Sequence, residues 1–177
     1  LQAEGLLDMA YIYGFDEIHA NQFAAVKDIF GEIKKRWPTI PLMTTAYDHS
    51  YGQSSGLDLV DIFVPLTQVY GKTAGAIAQA RQRGRKVWWY ICCGPHHPYA
   101  NWFVEYTAAE HRLVMGFMPH KFGCEGFLHY SMNFWQTNRD VTAGGKTTRR
   151  HNAPFTEPIL RGPLTNSDGK SWTEYNG

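Results

Sequence analysis

An α/β fold built on a parallel sheet is what this sequence predicts, and three observations predict it. Apolar, strand-like runs alternate with segments of helical spacing through residue 136. Most of the strand runs are apolar almost throughout, as in sheets covered on both faces. Polar and aromatic residues gather just past the carboxyl ends of these runs: Asp16-Glu17, Tyr47-Asp48-His49, His96-His97, Asn133 and Trp135. In a (β/α)8 barrel that end carries the active site. Five strands are too few to close such a barrel. The expected architecture is therefore a partial (β/α)8 TIM barrel, about its last five strands, with flanking helices.

The elements follow in order. Residues 10–15 form a short apolar run, read as a buried strand. Residues 21–37 have helical spacing, with Phe23, Val26, Ile29, Phe30, Ile33 and Trp37 on one stripe and lysines opposite. Pro38 stops that helix. Residues 40–47 read as a second strand, 51–56 as a loop and 60–66 as a third strand, so the link between these strands is abbreviated. A helix over 73–83 ends at Gly84. Residues 87–93 make a fourth strand, followed by the rigid loop Gly94-Pro95-His96-His97-Pro98. A helix over 107–122 is capped by Gly123, with a kink or early end at Pro119, and 126–135 make a fifth strand. After Gln136 the pattern dissolves into Gly, Thr, Asn, Pro and Arg. The chain thus divides into 1–136, the second half of a barrel domain, and 137–177, an extended tail leading to a missing last helix.

Bulk properties narrow the function. The 177 residues suffice for one domain with a core, and 44% hydrophobic with 19% charged reads as globular. Net charge is +1 and no basic run exceeds Lys34-Lys35-Arg36, which argues against a nucleic-acid partner. No apolar stretch approaches the ~20 residues of a membrane span. Leu1 is not a natural start residue, so the chain is expected to be cut from something longer. Cys92, Cys93 and Cys124 form no disulfide framework and match no zinc spacing; the pair in the strand reads as small buried residues. The excess is aromatic, 15% with six Trp and ten Tyr, a composition that suits sugar rings and an ordinary core alike.

Within AYIYGFDEIHAN, residues 10–21, the adjacent acids Asp16 and Glu17 raise the question of chemistry. A carboxyl at the end of an apolar strand, in a partly dry pocket, suits a general acid. Retaining glycosidases ordinarily set two carboxylates about 5 to 5.5 Å apart, usually on different strands. Adjacent acids suggest another division of labour, in which one protonates the glycosidic oxygen and the other holds a substrate 2-acetamido group that acts as nucleophile. The pair alone is equally open to a bland reading: Asp16 caps the next helix and Glu17 is a solvated first-turn residue.

Three stretches bear on that choice. YIYGFDE, VWWYICCGPHHPYANWF and EHRLVMGFMPHKFGCEGFLHYSMNFW occur in this order. They resemble glycoside hydrolase family 123 and the wider group labelled domain of unknown function 4091. The resemblance runs from about residue 8 to residue 136, and the terminal SDGKSWTEYNG looks like the approach to a further family segment. Its most specific parts are the strand-final Asp-Glu, the Trp-Trp-Tyr strand with its Pro-rich loop, and the strand ending in Asn-x-Trp. The resemblance implies a retaining β-N-acetylgalactosaminidase working through an oxazolinium intermediate, with Glu17 as acid/base and Asp16 stabilising the acetamido group. It implies no cofactor, a glycan or glycolipid substrate, and a secreted or periplasmic bacterial protein. N-acetylglucosamine differs from N-acetylgalactosamine only at C4, and no residue that reads that hydroxyl is identified.

Further site candidates are Tyr47 and Tyr90, whose hydroxyls suit an acetamido carbonyl, and Asn133 and Trp135, which suit a sugar hydroxyl and a sugar face. Packing competes with each. Trp88, Tyr90 and Cys92 share one strand face and Trp89, Ile91 and Cys93 the other, with the inward face undecided. His96-His97 lack metal-ligand spacing and read as pocket lining or loop packing. Arg112 reads as structural, paired with an acid elsewhere. Two rival functions remain. In the first, an ordinary two-carboxylate glycosidase, Asp48 or Asp140 is the second acid. In the second, a non-catalytic binding or structural fragment, exposed sheet edges pair with another copy or with the missing half.

Overall fold

The computed structural model describes residues 1–92, 94–102 and 106–129 in full, and the backbone of 138–151, 164–165 and 171–172. A parallel sheet organises the first part. Its order is β1 (Ile12–Tyr13), β2 (Leu42–Thr44), β3 (Ile62–Phe63), β4 (Lys86–Val87). The register sets Tyr13 against Met43, Thr44 against Phe63, and Phe63 against Val87. After an interruption at Trp88 the chain continues as β5 (Trp89–Ile91), which pairs in parallel with β6 (Phe127–His129). The Trp88 and Tyr90 amides donate to the carbonyls of Phe63 and Pro65, so β5 extends the run alongside the third strand. All five expected strands among the described residues are present and parallel.

Helices cover one face. α1 (Phe23–Arg36) buries Val26 and Phe30 against the sheet. α2 (Thr67–Lys72) and α3 (Ala74–Gln82) follow β3 and bury Tyr70, Ile77 and Ala80. Leu42, Phe63, Val87 and Trp89 point into this layer. Met43, Ile62, Val64 and Tyr90 form a separate cluster with Trp88, Cys92 and Leu128. Alternation along each strand puts these two sets on opposite faces. That decides the question the sequence left open: Trp88, Tyr90 and Cys92 face away from the helices, while Trp89 and Ile91 are wholly buried. Gly126 lets Trp88 lie close, because a Cβ there would stand 2.1 Å from the indole ring.

Several expectations need correction. Ile29 and Trp37 are half exposed, not core. Ile29 lies at the edge of the apolar stripe, and Trp37 (φ −134°, ψ 77°) has already left helical geometry. α2 was not expected at all. The helix over 107–122 is interrupted: α4 (Ala108–Arg112) leads through a wide π turn (Leu113–Phe117) into α5 (Met118–Phe122). The turn ends just before Pro119, which has no N–H for the carbonyl four residues back. A capping box between Thr107 and Glu110 starts it, and Gly123 at φ 59° ends it. Arg112 is exposed and has no ion-pair partner among the described residues. Beyond residue 136, where no regular element was expected, β7 (Asn138–Ala143) and β8 (Lys146–His151) form an antiparallel hairpin. Gly144 and Gly145, both at positive φ, make its turn. A short antiparallel pair follows, β9 (Leu164–Thr165) and β10 (Ser171–Trp172). Among the described residues no helix is long and apolar enough to cross a membrane.

Candidate active site

The parallel register brings Asp16 and Glu17, just past β1, beside Thr45, just past β2. Two hydroxyls converge on one oxygen of Asp16. Tyr13 donates to Oδ1 at 2.5 Å and Thr45 donates to the same atom at 2.7 Å. Each hydroxyl has one proton, so the 3.2 Å approach between Tyr13 and Thr45 is a contact that follows from the shared acceptor. Among the described residues nothing donates to Oδ2 of Asp16. Glu17 shares Thr45 through its backbone, its amide donating to Oγ1 at 2.9 Å, while its carboxylate is held elsewhere, the Tyr90 hydroxyl donating to Oε1. The neighbouring acids thus point to different partners, one toward β1 and β2 and the other across the sheet to β5.

Backbone geometry makes that divergence possible. Phe15 and Glu17 both adopt left-handed dihedrals, φ 61° and 50°. Such a conformation costs a non-glycine residue about 1–2 kcal/mol. It persists where surrounding bonds over-determine it, and such sites gather where function needs them. Here the Thr44 hydroxyl donates to the Phe15 carbonyl at 2.8 Å, and Thr45 takes the Glu17 amide. Asp16 caps no helix: its charge is spent on the two hydroxyls, and the following 3-10 turn, Ala20–Gln22, has no side-chain cap.

The surrounding tyrosines are neutral donors. Burial pushes the Tyr90 phenol far above its usual range, and the hydrogen bond to Glu17 and its charge push the same way. Burial also raises Tyr13, as does its bond to Asp16. Tyr47 is raised by burial first, its hydrogen bond with Tyr90 works in the opposite direction, and the charge of Glu17 adds to the rise. Tyr47 therefore joins Tyr90 and Glu17 in one cluster, and its ring lies 4.9 Å from that of His19.

The structure brings together Asp16, Glu17, Tyr47 and Tyr90 of the sequence candidates. Asn133 and Trp135 lie outside the described residues, as does Cys93. Glu17 and Asp16 are exposed, contrary to the expected dry pocket, because the helix-free face is uncovered beside β1. Tyr11 and Tyr13 on that face are 42% and 41% exposed. Asp48 is not a free second acid. It is buried and accepts from the Ser50 and Gly52 amides and the Ser50 and Ser55 hydroxyls, organising its own loop. His97 packs on Tyr106 and sits 3.4 Å from Glu110, which is loop packing. The Glu110 carboxyl is held below the usual range by the Thr107 amide and hydroxyl, with His97 adding to this. Sequence reasoning missed Thr45 entirely. It assigned no role to Tyr13, although its spacing three residues before Asp16 was a usable signal.

The sequence pattern of the glycoside hydrolase 123 catalytic domain matches residues 1–167. The chain belongs to that family. The match extends beyond residues 8–136 and takes in the β7–β8 hairpin. Among solved structures, the chain is similar to a family 123 glycoside hydrolase from Clostridium perfringens, studied for glycolipid glycan hydrolysis. That likeness has a TM-score of 0.54 at 17% identity and covers 73% of this chain. The chain spans 22% of that protein's length. No curated protein matches it in sequence.

Proposed function

We propose that the chain is the second half of a (β/α)8 barrel and carries the acid pair of a retaining glycosidase that removes β-linked N-acetylhexosamine, N-acetylgalactosamine first. The observation that carries this reading is the separate anchoring of adjacent acids, Asp16 by Tyr13 and Thr45 and Glu17 by Tyr90. Two carboxylates that shared one ligand would have no use for opposed partners. A carboxylate with one fixed and one open oxygen suits an acetamido N–H.

In the proposed cycle, Glu17 gives its proton to the glycosidic oxygen as the C1–oxygen bond breaks. The acetamido oxygen attacks C1 and forms the oxazolinium ring. Asp16 Oδ2 accepts from the acetamido N–H and stabilises the positive charge that develops there. Water then attacks C1, Glu17 takes the water proton, and the ring opens to the product with the starting configuration. Tyr90 donates its one proton to Glu17 and so holds the acid, which leaves the Tyr47 hydroxyl to meet the acetamido carbonyl. Support for the half-barrel comes from five parallel strand runs that carry helices, among the described residues, on one face only, and from Tyr11 and Tyr13 left exposed on the other. A glycan or glycolipid ending in this sugar is the proposed substrate class.

The test is hydrolysis of chromogenic β-N-acetylgalactosaminide and β-N-acetylglucosaminide by the full-length protein. Glu17→Gln and Asp16→Asn are each expected to lower kcat/KM by about 10³-fold or more. A substrate with hydroxyl in place of the acetamido group should be turned over hardly at all. Turnover of that substrate at a comparable rate would instead indicate a two-carboxylate mechanism.

A further inference from the structure

We infer that Thr45 is a positioning residue for both acids, holding Asp16 and Glu17 in their divergent arrangement through one buried hydroxyl. The inference rests on the acid-pair reading above and goes beyond it by naming the group that sets the pair's geometry.

Three features converge on Thr45. It is 1% exposed, whereas the acids and Tyr13 that it touches are exposed. A buried hydroxyl whose partners face solvent is a fixed point from which mobile groups take direction. Its single oxygen serves both acids in opposite senses, giving its proton to Asp16 Oδ1 and accepting the Glu17 amide. Those two bonds straddle a residue pair whose second member is left-handed, at φ 50°. Relaxation of Glu17 to ordinary dihedrals would swing its side chain away from Tyr90. The position of Thr45 is also fixed: it lies two residues past Met43, on the face that carries Tyr90. Thr44 points the other way and holds the Phe15 carbonyl. Adjacent threonines thus grip the turn from both sides, but only Thr45 contacts the acids.

Thr45→Val keeps the branched shape and removes both bonds, Thr45→Ser keeps the hydroxyl, and Tyr13→Phe removes the other donor to Oδ1. In the full-length protein, Thr45→Val is expected to lower kcat about 100-fold with KM changed less than about threefold, the scale seen when a group orienting a reactive residue is lost. Thr45→Ser should recover to within about fivefold of wild type, and Tyr13→Phe should lose about tenfold in kcat. In an Asp16→Asn background, Thr45→Val should cost much less than in wild type, since part of its action runs through Asp16. Wild-type kcat in Thr45→Val overturns the inference. So does equal damage from Ser and Val, which would make Thr45 a packing residue. If Thr45→Val does not fold, the Ser and Phe variants decide: a large loss in Ser, or none in Phe, overturns the inference. A wild type silent toward both sugars removes the acid-pair reading itself, whereas an active wild type matched by Thr45→Val removes only this inference.

Discussion

Tyr90→Phe isolates one hydroxyl. The ring packs with Met43, Ile62 and Val64 and is 5% exposed, so phenylalanine fills the same space. What disappears is the donor to Glu17 Oε1 and the contact with Tyr47. A hydrogen bond to a charged group contributes about 1.5–3 kcal/mol. Glu17 is exposed and water replaces part of that, so the stability loss should be near 1 kcal/mol. The kinetic loss should be larger, because water does not restore direction. Each tenfold in rate is about 1.4 kcal/mol of transition-state stabilisation, and an unheld Glu17 should cost about 10- to 100-fold in kcat. The assay is steady-state hydrolysis of the aryl β-N-acetylgalactosaminide beside a thermal melt of the same preparation. Wild-type kcat in a folded Tyr90→Phe would refute the argument that Tyr90 orients the acid. A rise in KM alone would make it a uniform substrate contact.

Three further predictions concern the scaffold. Asp48→Ala strands two backbone amides and two hydroxyls in a part-buried loop and should destabilise by about 2 kcal/mol in urea, while kcat of the folded protein falls less than about tenfold. A loss of several orders of magnitude would restore Asp48 as a second acid. Gly126→Ala drives a methyl into Trp88 and should cost about 3 kcal/mol, so unchanged denaturation would show that the indole can move aside. Tyr51 is pushed up to about 12 by burial, against a lowering from its bond to Thr73 and with a further push from Asp48. A raised phenol stabilises fully below the unfolded value near 10, and the contribution fades as pH climbs from 10 toward 12. About 3 kcal/mol should be lost over that window and retained in Tyr51→Phe, as read by denaturant midpoints at each pH.

Much of the architecture is written locally. Apolar runs near residues 40–47, 60–66 and 87–93 announce strands because burial on both faces demands them, and the run at 10–15 announces one although Tyr11 and Tyr13 stay exposed. Gly84, Gly123 and the Thr107–Glu110 box mark helix ends through backbone chemistry that needs no partner. The Gly144-Gly145 turn is equally local, but its polar flanks carry no apolar run to announce strands. The acids themselves stood out for the same reason: two adjacent charges after an apolar strand are a local anomaly.

Tertiary structure decided how those acids are held. Thr45 is 29 residues from Asp16 and Tyr90 is 73 from Glu17, and no periodicity within one element encodes either contact. Only the parallel register of β1 on β2 sets Thr45 beside the turn, and only the choice of face on β5 sends the Tyr90 hydroxyl toward Glu17. Asp48, by contrast, is turned into its own loop by local bonds from Ser50, Gly52 and Ser55. Identity and local pattern are properties of neighbours along the chain. The direction of a carboxylate is set by groups that meet it across the sheet, and these are determined once the strands have paired.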